Sequence, residues 1–416
     1  MSINKLQSHF QASLEDVEKH PPMDEAKFGD GSDTLEAEMV TVQETYEESD
    51  DADEVVDELD EVAEGMESIQ EYLQASLKDG GLDPMSAGAV ALATESYTRR
   101  LGLESSPVPS TEAFGGASDR EQATTVSVEG IGDVLSKIWN AIKDALVKAY
   151  NATMEFFKKY FGAVEKLEKR IDKVEKYLKD IGDKKPEGKI KTDKSMTDDK
   201  YVKATKDAAE TVCGDYMKYA ESYIESLGKF MADSGVQKAE SAEDIKSAYE
   251  SKVEPDYKKA YDAIKKVDGQ ELAGGAKISV KEAEGEGHGY NVSYEGGGSG
   301  KKEETDPLDA GAIKKKLGEV KDCVKTVKDK EKAINSFMKT RKESQKYGDD
   351  LVKAAKGDKL GAGWTKAEAK KYIGMVKKDC VKPVKYVSKL VLKMSSECLY
   401  LAEHSAKAHK EQKSDS

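Results

Sequence analysis

Apolar residues spaced alternately three and four apart recur along this chain and constrain its fold more than any other feature. Between residues 164 and 181 they alternate with Lys and Glu, and between residues 55 and 73 they lie in a strongly acidic stretch. Such spacing places apolar side chains on one narrow face of an α-helix. Because 35% of the residues are charged and 38% hydrophobic, only small cores can form. The acidic stripe consists of Val55, Leu59, Val62, Met66, Ile69 and Leu73.

The acidic stripe belongs to an N-terminal segment, residues 1–129, which we call the acidic leader. Two structures fit this stretch: an acidic amphipathic helix that depends on a partner, and a solvated coil with accidental periodicity. A break is expected at residues 80–84, followed by a second helix over residues 84–100. Residues 104–129 are rich in Ser, Pro and Gly, and this composition predicts an exposed linker.

The rest of the chain, residues 130–416, is called the basic remainder below. We predict an amphipathic helix and a short heptad helix over residues 130–182, a charged linker over residues 183–200, and a helical body over residues 201–416. The fold class is therefore mainly α, with an acidic helical or disordered N-terminal leader followed by an antiparallel helical bundle that carries one small β-hairpin.

The helical body contains one element of a different kind, a predicted hairpin at residues 276–295. Apolar and polar residues alternate there on both sides of a Gly-rich turn, so the hairpin must either lie on the helices or form a mobile flap. Residues 296–300 predict a flexible Gly-rich loop. Helices are predicted over residues 201–232 and 241–267, the second capped by Ser241 with Asp244.

Two further helix starts are indicated near the C-terminus. Asp306 followed by Pro307 has the pattern of an N-cap and a first helical residue. Thr365 with Glu368 predicts the start of a last helix that runs to about residue 408 and is kinked at Pro383.

The sequence contains no arrangement typical of an enzyme site. Nucleophile-elbow, phosphate-loop and GxGxxG patterns are missing, as are HExxH and CxxC pairs, so no catalytic residue, metal or cofactor is expected. The four cysteines are predicted to be buried thiols of a reducing compartment. A secretory signal and an apolar run of membrane-spanning length are also missing, and we expect a soluble protein. The cysteines are Cys213, Cys323, Cys380 and Cys398.

The net charge of −15 hides a division of the chain into two halves of opposite sign. Residues 1–129 contain 7 Lys and Arg against 31 Asp and Glu, whereas residues 130–416 contain 59 against 50. The first half therefore carries −24 and the second +9. Cutting the Glu129–Gly130 bond would convert an acidic protein into a basic one.

That bond follows a sequence suited to proteolysis. Residues 124–128 favour extended structure at the end of the expected linker, and Ser127, Val128 and Glu129 form a small-x-Glu triplet before Gly130. Glu104 and Glu112 end similar triplets within the same linker and are additional candidate cleavage sites.

With its acidic leader, small-x-Glu site and Lys-rich helical remainder, the chain resembles the internal head proteins of large tailed bacteriophages. The resemblance implies cutting after Glu129 by a prohead protease. It also implies that the leader contacts capsid or prohead core proteins during assembly, and that the remainder stays in the capsid with the phage DNA. The protein would occupy the host cytoplasm during assembly and the capsid interior afterwards.

The segment after the junction is strongly amphipathic. Its apolar face is expected either to pack on the protein's own core or to bind a membrane surface after ejection into a host cell. The face includes Ile131, Leu135, Ile138, Trp139, Ile142, Phe156 and Phe157.

Lysines lie off this apolar face, at Lys137, Lys143, Lys148, Lys158 and Lys159. They are candidates for contacts with DNA phosphates, or they merely solvate the helix. Because the remainder holds 57 Lys and two Arg, any DNA contact should be independent of base sequence, weak and sensitive to salt. Two rivals stay open: an ejected effector that perturbs a host membrane or inhibits a host enzyme, and a prohead scaffold or core protein that is not retained in the virion.

Overall fold

The computed structural model describes residues 35–103, 106–179, 186–282, 290–298, 300–356, 360–377 and 380–411. Within these ranges the protein is mainly α with two small antiparallel strand pairs, so the predicted fold class is confirmed. The helices are α1 (Leu35–Lys78), α2 (Pro84–Arg100), α3 (Ala117–Leu178), α4 (Lys194–Thr197), α5 (Asp199–Glu210), α6 (Met217–Ala232), α7 (Ser234–Gln237), α8 (Ala242–Lys252), α9 (Glu254–Lys265), α10 (Ala310–Lys328), α11 (Glu331–Lys356), α12 (Lys366–Lys377) and α13 (Lys382–Glu411). The strands are β1 (Ile190–Thr192), β2 (Lys277–Glu282), β3 (Tyr290–Glu295) and β4 (Glu303–Thr305).

The chain forms two compact units. Among the described residues, those between 44 and 155 belong to the first unit, and residues 35–43 together with those from 156 onward belong to the second. The predicted junction at residues 129 and 130 therefore lies inside the first unit, and both halves of the chain contribute to each unit.

The acidic stretch of the leader is helical, which is the first of the two structures expected for it. Leu59, Val62, Met66 and Leu73 of α1 are all buried in the core of the first unit. The break after α1 is also confirmed, since the carboxylate of Asp83 accepts hydrogen bonds from the backbone N–H groups of two residues in the first turn of α2.

Helix α2 returns along the C-terminal half of α1. Arg100 at the end of α2 donates two hydrogen bonds to the carboxylate of Glu61, at 3.0 and 3.1 Å. A Cβ added at Gly65 would overlap the ring of Tyr97, so the two helices approach closely at this point. The two helices form an antiparallel hairpin.

Helix α3 corrects two predictions. The exposed linker expected over residues 104–129 is wrong from Ala117 onward, where α3 begins, and residues 130–178 form one helix instead of two. Gly130 and Gly162 lie inside this helix, and a helical glycine costs roughly 1 kcal/mol relative to alanine. Each apolar side chain that the same helix buries gains roughly 1.5–3 kcal/mol. Burial of the continuous apolar face therefore outweighs the unfavourable local composition.

Two helices of the second unit, α6 and α13, each pack on several other helices. α6 contacts α9 and α11, and α13 contacts α5 and α10. The helix predicted over residues 201–232 is present but contains a π-helical segment, Thr211–Tyr216, between α5 and α6. The helix predicted over residues 241–267 divides at Val253, because Pro255 has no N–H group and fits only the first turn of α9. The cap on α8 is as predicted, with Ser241 Oγ accepting from the Asp244 backbone N–H.

A buried lysine joins α10 to the start of α5. The Lys316 side chain is 7% exposed, and its ammonium group donates to Thr197 O at 3.0 Å and pairs with Glu319 at 3.0 Å and with Asp199. Lys315 pairs with the other oxygen of Asp199 at 2.5 Å. Asp199 thus connects two ammonium groups, one of them buried.

The predicted hairpin is confirmed in its strands, while its turn, residues 283–289, lies outside the described residues. β2 and β3 are antiparallel, with Val280 opposite Val292. Ile278 and Val280 are buried, and the Tyr290 hydroxyl donates to the Tyr216 hydroxyl at 3.1 Å. Of the two arrangements expected, the hairpin therefore lies on the helices.

A second strand pair was missed by the sequence patterns. β1 pairs with β4, and α4 follows β1 directly, so the charged linker expected over residues 183–200 is wrong from residue 190 onward. Strands of three residues are too short to show an alternation that differs from chance.

The described residues of the Gly-rich loop over residues 296–300, which was predicted to be flexible, form hydrogen bonds with three other parts of the second unit. Gly297 donates its N–H to Gly274 O at 3.1 Å and accepts a hydrogen bond from Lys393 Nζ at 3.0 Å. The Asp193 carboxylate accepts from the Gly300 N–H. These bonds satisfy backbone groups that would otherwise need water.

Two helix starts near the C-terminus also differ from the prediction. Asp309, and not Asp306, caps α10, where its carboxylate accepts from the Ala312 N–H at 2.8 Å. The cap formed by Thr365 and Glu368 is as predicted. The predicted last helix divides into α12 and α13, so Pro383 lies in the first turn of α13 and not at a kink.

The four cysteines are buried free thiols, as predicted. Burial raises the pKa of Cys213, Cys323 and Cys398 to about 12, which keeps these thiols protonated and unreactive at neutral pH. In the part of the chain that the structure describes, no helix is long and apolar enough to span a bilayer, and no group of His, Cys, Asp and Glu could hold a metal ion.

Candidate functional site

The candidate cleavage bond, between Glu129 and Gly130, lies inside α3. Thr124 and Ser127 are buried, Val128 is half-buried and Glu129 is exposed. The Ser127 hydroxyl donates to the backbone carbonyl of Ala123 at 2.8 Å, one helical turn earlier. The extended, exposed conformation expected for this triplet is therefore wrong, and the cut itself stays a prediction.

Two hydrogen bonds, one from Leu82 and one from Gln70, join the start of α3 to the α1–α2 hairpin. The buried Leu82 N–H donates to Thr124 Oγ1 at 2.9 Å, and the same hydroxyl donates to the Arg120 carbonyl at 2.7 Å. Gln70 Nε2 donates to the Val128 carbonyl at 3.4 Å. Unwinding α3 from its N-terminus as far as the candidate bond breaks all of these contacts.

The segment before α3 crosses this helix at the candidate bond. A Cβ added at Gly130 would lie 2.7 Å from the carbonyl oxygen of Pro107 and 3.1 Å from its Cβ. Only glycine allows such an approach between the helix and the crossing chain. Pro107 therefore covers one side of the bond that a protease would have to reach.

The two additional cleavage candidates differ in what the structure shows of them. Glu112 is exposed and lies in a 3₁₀ turn, Thr111–Phe114, which is held to the core by the buried ring of Phe114. Glu104 lies outside the described residues. Because a short 3₁₀ turn opens more readily than the interior of a long helix, Glu112 is the more accessible of the two described sites.

The apolar face after the junction packs on the protein's own core. Ile131, Leu135, Ile138 and Ile142 are each at most 4% exposed and belong to one cluster with the apolar residues of α1 and α2. The Trp139 indole N–H donates to a Glu67 carboxylate oxygen at 3.2 Å. The acidic leader is thus the partner of this face in the intact chain.

Helices α1 and α3 lie antiparallel in the first unit. As the residue number decreases along α1, the number of its contact residue in α3 increases, as expected for two helices that run in opposite directions. The contacts are Gln70 with Val128, Glu67 with Trp139, and Ser49 Oγ with Thr153 Oγ1 at 3.0 Å.

The remaining two members of the predicted membrane face, Phe156 and Phe157, belong to the second unit. Their side chains are 0% and 2% exposed, and their rings contact each other edge to face with centroids 5.0 Å apart. The structure therefore separates the predicted face into two parts and buries both.

The predicted phosphate-binding lysines lie on the outer side of α3. Lys137, Lys143, Lys148 and Lys158 are exposed and Lys159 is half-buried. Acidic residues share this side of the helix. Asp144, for example, lies seven residues after Lys137 and four residues before Lys148, which places it on the same side as both. These acidic side chains reduce the positive charge of this side, and contact with DNA phosphates stays a prediction.

A second contact between leader and remainder was not predicted. Arg170 of α3 donates from Nη1 to Glu36 at 2.6 Å and from Nη2 to Glu403 at 2.7 Å, and Lys166 pairs with Glu38 at 2.8 Å. These residues all belong to the second unit. Hydrogen bonding from Arg170 lowers the pKa of Glu36 and hydrogen bonding to Glu403 raises that of Arg170. The one signal in the sequence was the rarity of arginine in the remainder, since planar arginine suits two carboxylates at once.

Comparison with known protein families gave a match. The model of a family described as phiKZ-like phage internal head proteins matches residues 34–404 of the chain. No curated protein and no solved structure matches.

Proposed function

Because this chain belongs to the phiKZ-like phage internal head proteins, a structural family of the capsid interior, we propose that it is made as a precursor. In this proposal the prohead protease cuts after Glu129, the leader acts during assembly with capsid or prohead core proteins, and the basic remainder is retained with the DNA. The observation that carries the proposal is the change of net charge from −24 to +9 at a small-x-Glu triplet.

The leader has two physical effects in such a precursor. Its acidic residues offset the positive charge of the remainder, and its helices cover the apolar side chains of Ile131, Leu135 and Ile138. Removing the leader would therefore raise the attraction to DNA and uncover an apolar helix face in one step. Attraction through lysines is independent of base sequence, which suits a protein packed beside a whole genome.

The protease cannot use the bond in the conformation described. Its substrate must be extended, so α3 has to open from Ala117 to beyond Gly130, and the chain at Pro107 has to move aside. Cutting should depend on this local opening and should precede or accompany the loss of the leader.

N-terminal sequencing of the protein from purified virions tests the proposal. The expected result is a chain that begins at Gly130, with few or no molecules that begin at residue 1 or 2. Intact chains in mature virions would refute the cut, and absence of the protein from virions would favour a prohead scaffold that is not retained.

A second candidate function follows from the apolar face that the leader covers. If the remainder is ejected into the host, residues Ile131 to Ile142 could bind an anionic membrane with their apolar side. Flotation of a chain that begins at Gly130 with anionic vesicles tests this, and the intact chain is the matched control. Binding by the shorter chain alone supports the membrane role, whereas binding by neither refutes it. A growth defect on expression without vesicle binding would instead favour inhibition of a host enzyme.

A further inference from the structure

We propose that cutting the Glu129–Gly130 bond does not by itself release the acidic leader, which remains bound to the remainder as a separate chain. The inference rests on the proposed cut and concerns what happens after it. It follows from the contacts that join residues before the bond to residues after it, because none of them depends on the bond.

The largest of these contacts is the core of the first unit. On the leader side, Leu59, Val62, Met66 and Leu73 are completely buried. They share one apolar cluster with the remainder's side chains, among them Ile131 and Ile138. Since the side chains of both pieces form a single core, separating the pieces would expose apolar surface on each of them.

Polar contacts fix the position of the leader on this core. Ser49 and Thr153 hydrogen-bond through buried hydroxyl groups at 3.0 Å, and Glu67 accepts from the Trp139 indole at 3.2 Å. If the leader left, both hydroxyl groups would become accessible and water would replace this bond, so its main effect is to fix how α1 and α3 align.

A second attachment lies in the other compact unit. Leu35 and Val42, near the start of α1, are buried there, and Glu36 and Glu38 pair with cations of α3. Of the two ion pairs, Lys166 with Glu38 is the less exposed, with side chains 31% and 24% accessible. The leader is therefore held by both compact units, and a cut near residue 130 separates it from neither.

The opposite net charges of the two pieces add a general attraction that salt screens. The apolar core is not screened in this way, and retention should therefore persist at physiological ionic strength. The leader would leave only after further cuts within it or after the first unit unfolds. A virion protein that begins at Gly130 would then not by itself show that the leader has gone.

The test uses the full chain with the recognition sequence of a site-specific protease inserted between Glu129 and Gly130. After complete cutting, shown on a denaturing gel, the pieces are passed over a size-exclusion column in buffer of physiological salt. We expect both pieces to elute together at the volume of the uncut chain and to separate in denaturant. Separate elution in native buffer would overturn the inference.

A pair of variants identifies the core as the cause of retention. Leu59→Ala removes a completely buried side chain of α1, and Tyr72→Ala changes a 49% exposed residue of the same helix. The first should raise the dissociation rate of the cut leader at least about tenfold, and the second should leave it unchanged. Equal rates would refute the role of the core, and the elution volume of each uncut variant shows whether it has folded.

This experiment separates the inference from the proposed function. The inserted sequence creates the cut, so the result does not depend on whether the prohead protease recognises Glu129. If the natural protease leaves the bond intact, the proposed precursor fails while the measured retention stands. If the natural cut occurs but the pieces separate at once, only the inference fails.

Discussion

Replacing Thr124 by valine should make the Glu129–Gly130 bond easier to cut. Valine has the shape of threonine without its hydroxyl, so the change removes the acceptor of the Leu82 N–H and alters packing little. Leu82 is 2% exposed, and its N–H would be left buried without a partner. In the variant, the closed helix lacks the hydrogen bond from the Leu82 N–H. In the opened helix this N–H is hydrated in both chains, so the substitution destabilises only the closed form.

The magnitude follows from the cost of that unpaired group. Leaving a buried N–H unsatisfied costs about 1–3 kcal/mol, and every 1.4 kcal/mol is about a factor of ten in an equilibrium constant. When opening and closing are fast relative to cutting, the cutting rate follows the population of the open form. Thr124→Val should therefore speed cutting after Glu129 by roughly 5- to 150-fold.

Thr125→Val is the matched control. Thr125 is the next residue of α3, and its hydroxyl also donates to a carbonyl one turn earlier, at 2.8 Å, but it is exposed and contacts no other element through that bond. The same substitution there should leave the rate unchanged within about twofold, since exposed changes rarely exceed 0.5 kcal/mol.

The assay treats each full chain with an endopeptidase that cuts after glutamate and follows two new N-termini by mass spectrometry. In every chain Ala113 should appear before Gly130, because Glu112 lies in the exposed 3₁₀ turn. Only the rate at Gly130 should respond to Thr124→Val. If the two valine variants release Gly130 equally fast, α3 opens without separating from Leu82, and the reasoning is wrong.

Two other predictions concern the second unit. Hydrogen bonds from Lys315 and Lys316 lower the pKa of Asp199 below its ordinary value of 3.8, so the stabilisation that this carboxylate provides is complete above that pH and is lost as the pH falls through the lowered pKa. Asp199→Asn should therefore flatten the fall of the melting temperature between about pH 5 and pH 2, and parallel curves for variant and parent would contradict this. Gly296→Ala should lower the free energy of unfolding more than Gly275→Ala: both glycines have positive φ, at +71° and +67°, but only at Gly296 would the new Cβ collide with backbone. The second change should cost about 1–2 kcal/mol in denaturant unfolding, and equal losses would show that the loop adapts.

Helix positions were predictable where the pattern itself carries the information. The stripe from Val55 to Leu73 identified the middle of α1, and the predicted break at residues 80–84 identified the start of α2. Period and capping depend on residues a few positions apart, which the sequence displays directly. The buried cysteines and the strands around Val280 were predictable for the same reason.

The start of α3 was not predictable in this way. Residues 117–129 contain Ser, Thr and Val, which favour other structures, and they follow Pro- and Gly-rich chain. They are helical here because Ala123, Thr124 and Ser127 are buried in the first unit. Tertiary packing supplied what local propensity did not, and it placed the candidate cleavage bond in a helix.

By itself the sequence determined that the protein is mainly α, that its charge changes sign near residue 130, and that the segment after this point has one apolar face. Composition and spacing are properties of neighbouring residues, so they need no fold to be read. Only the tertiary structure decided what covers that face. The answer is the leader, through pairs such as Glu67 with Trp139 that lie far apart in the chain. Such pairing depends on complementary surfaces brought together by folding, and no local pattern encodes it.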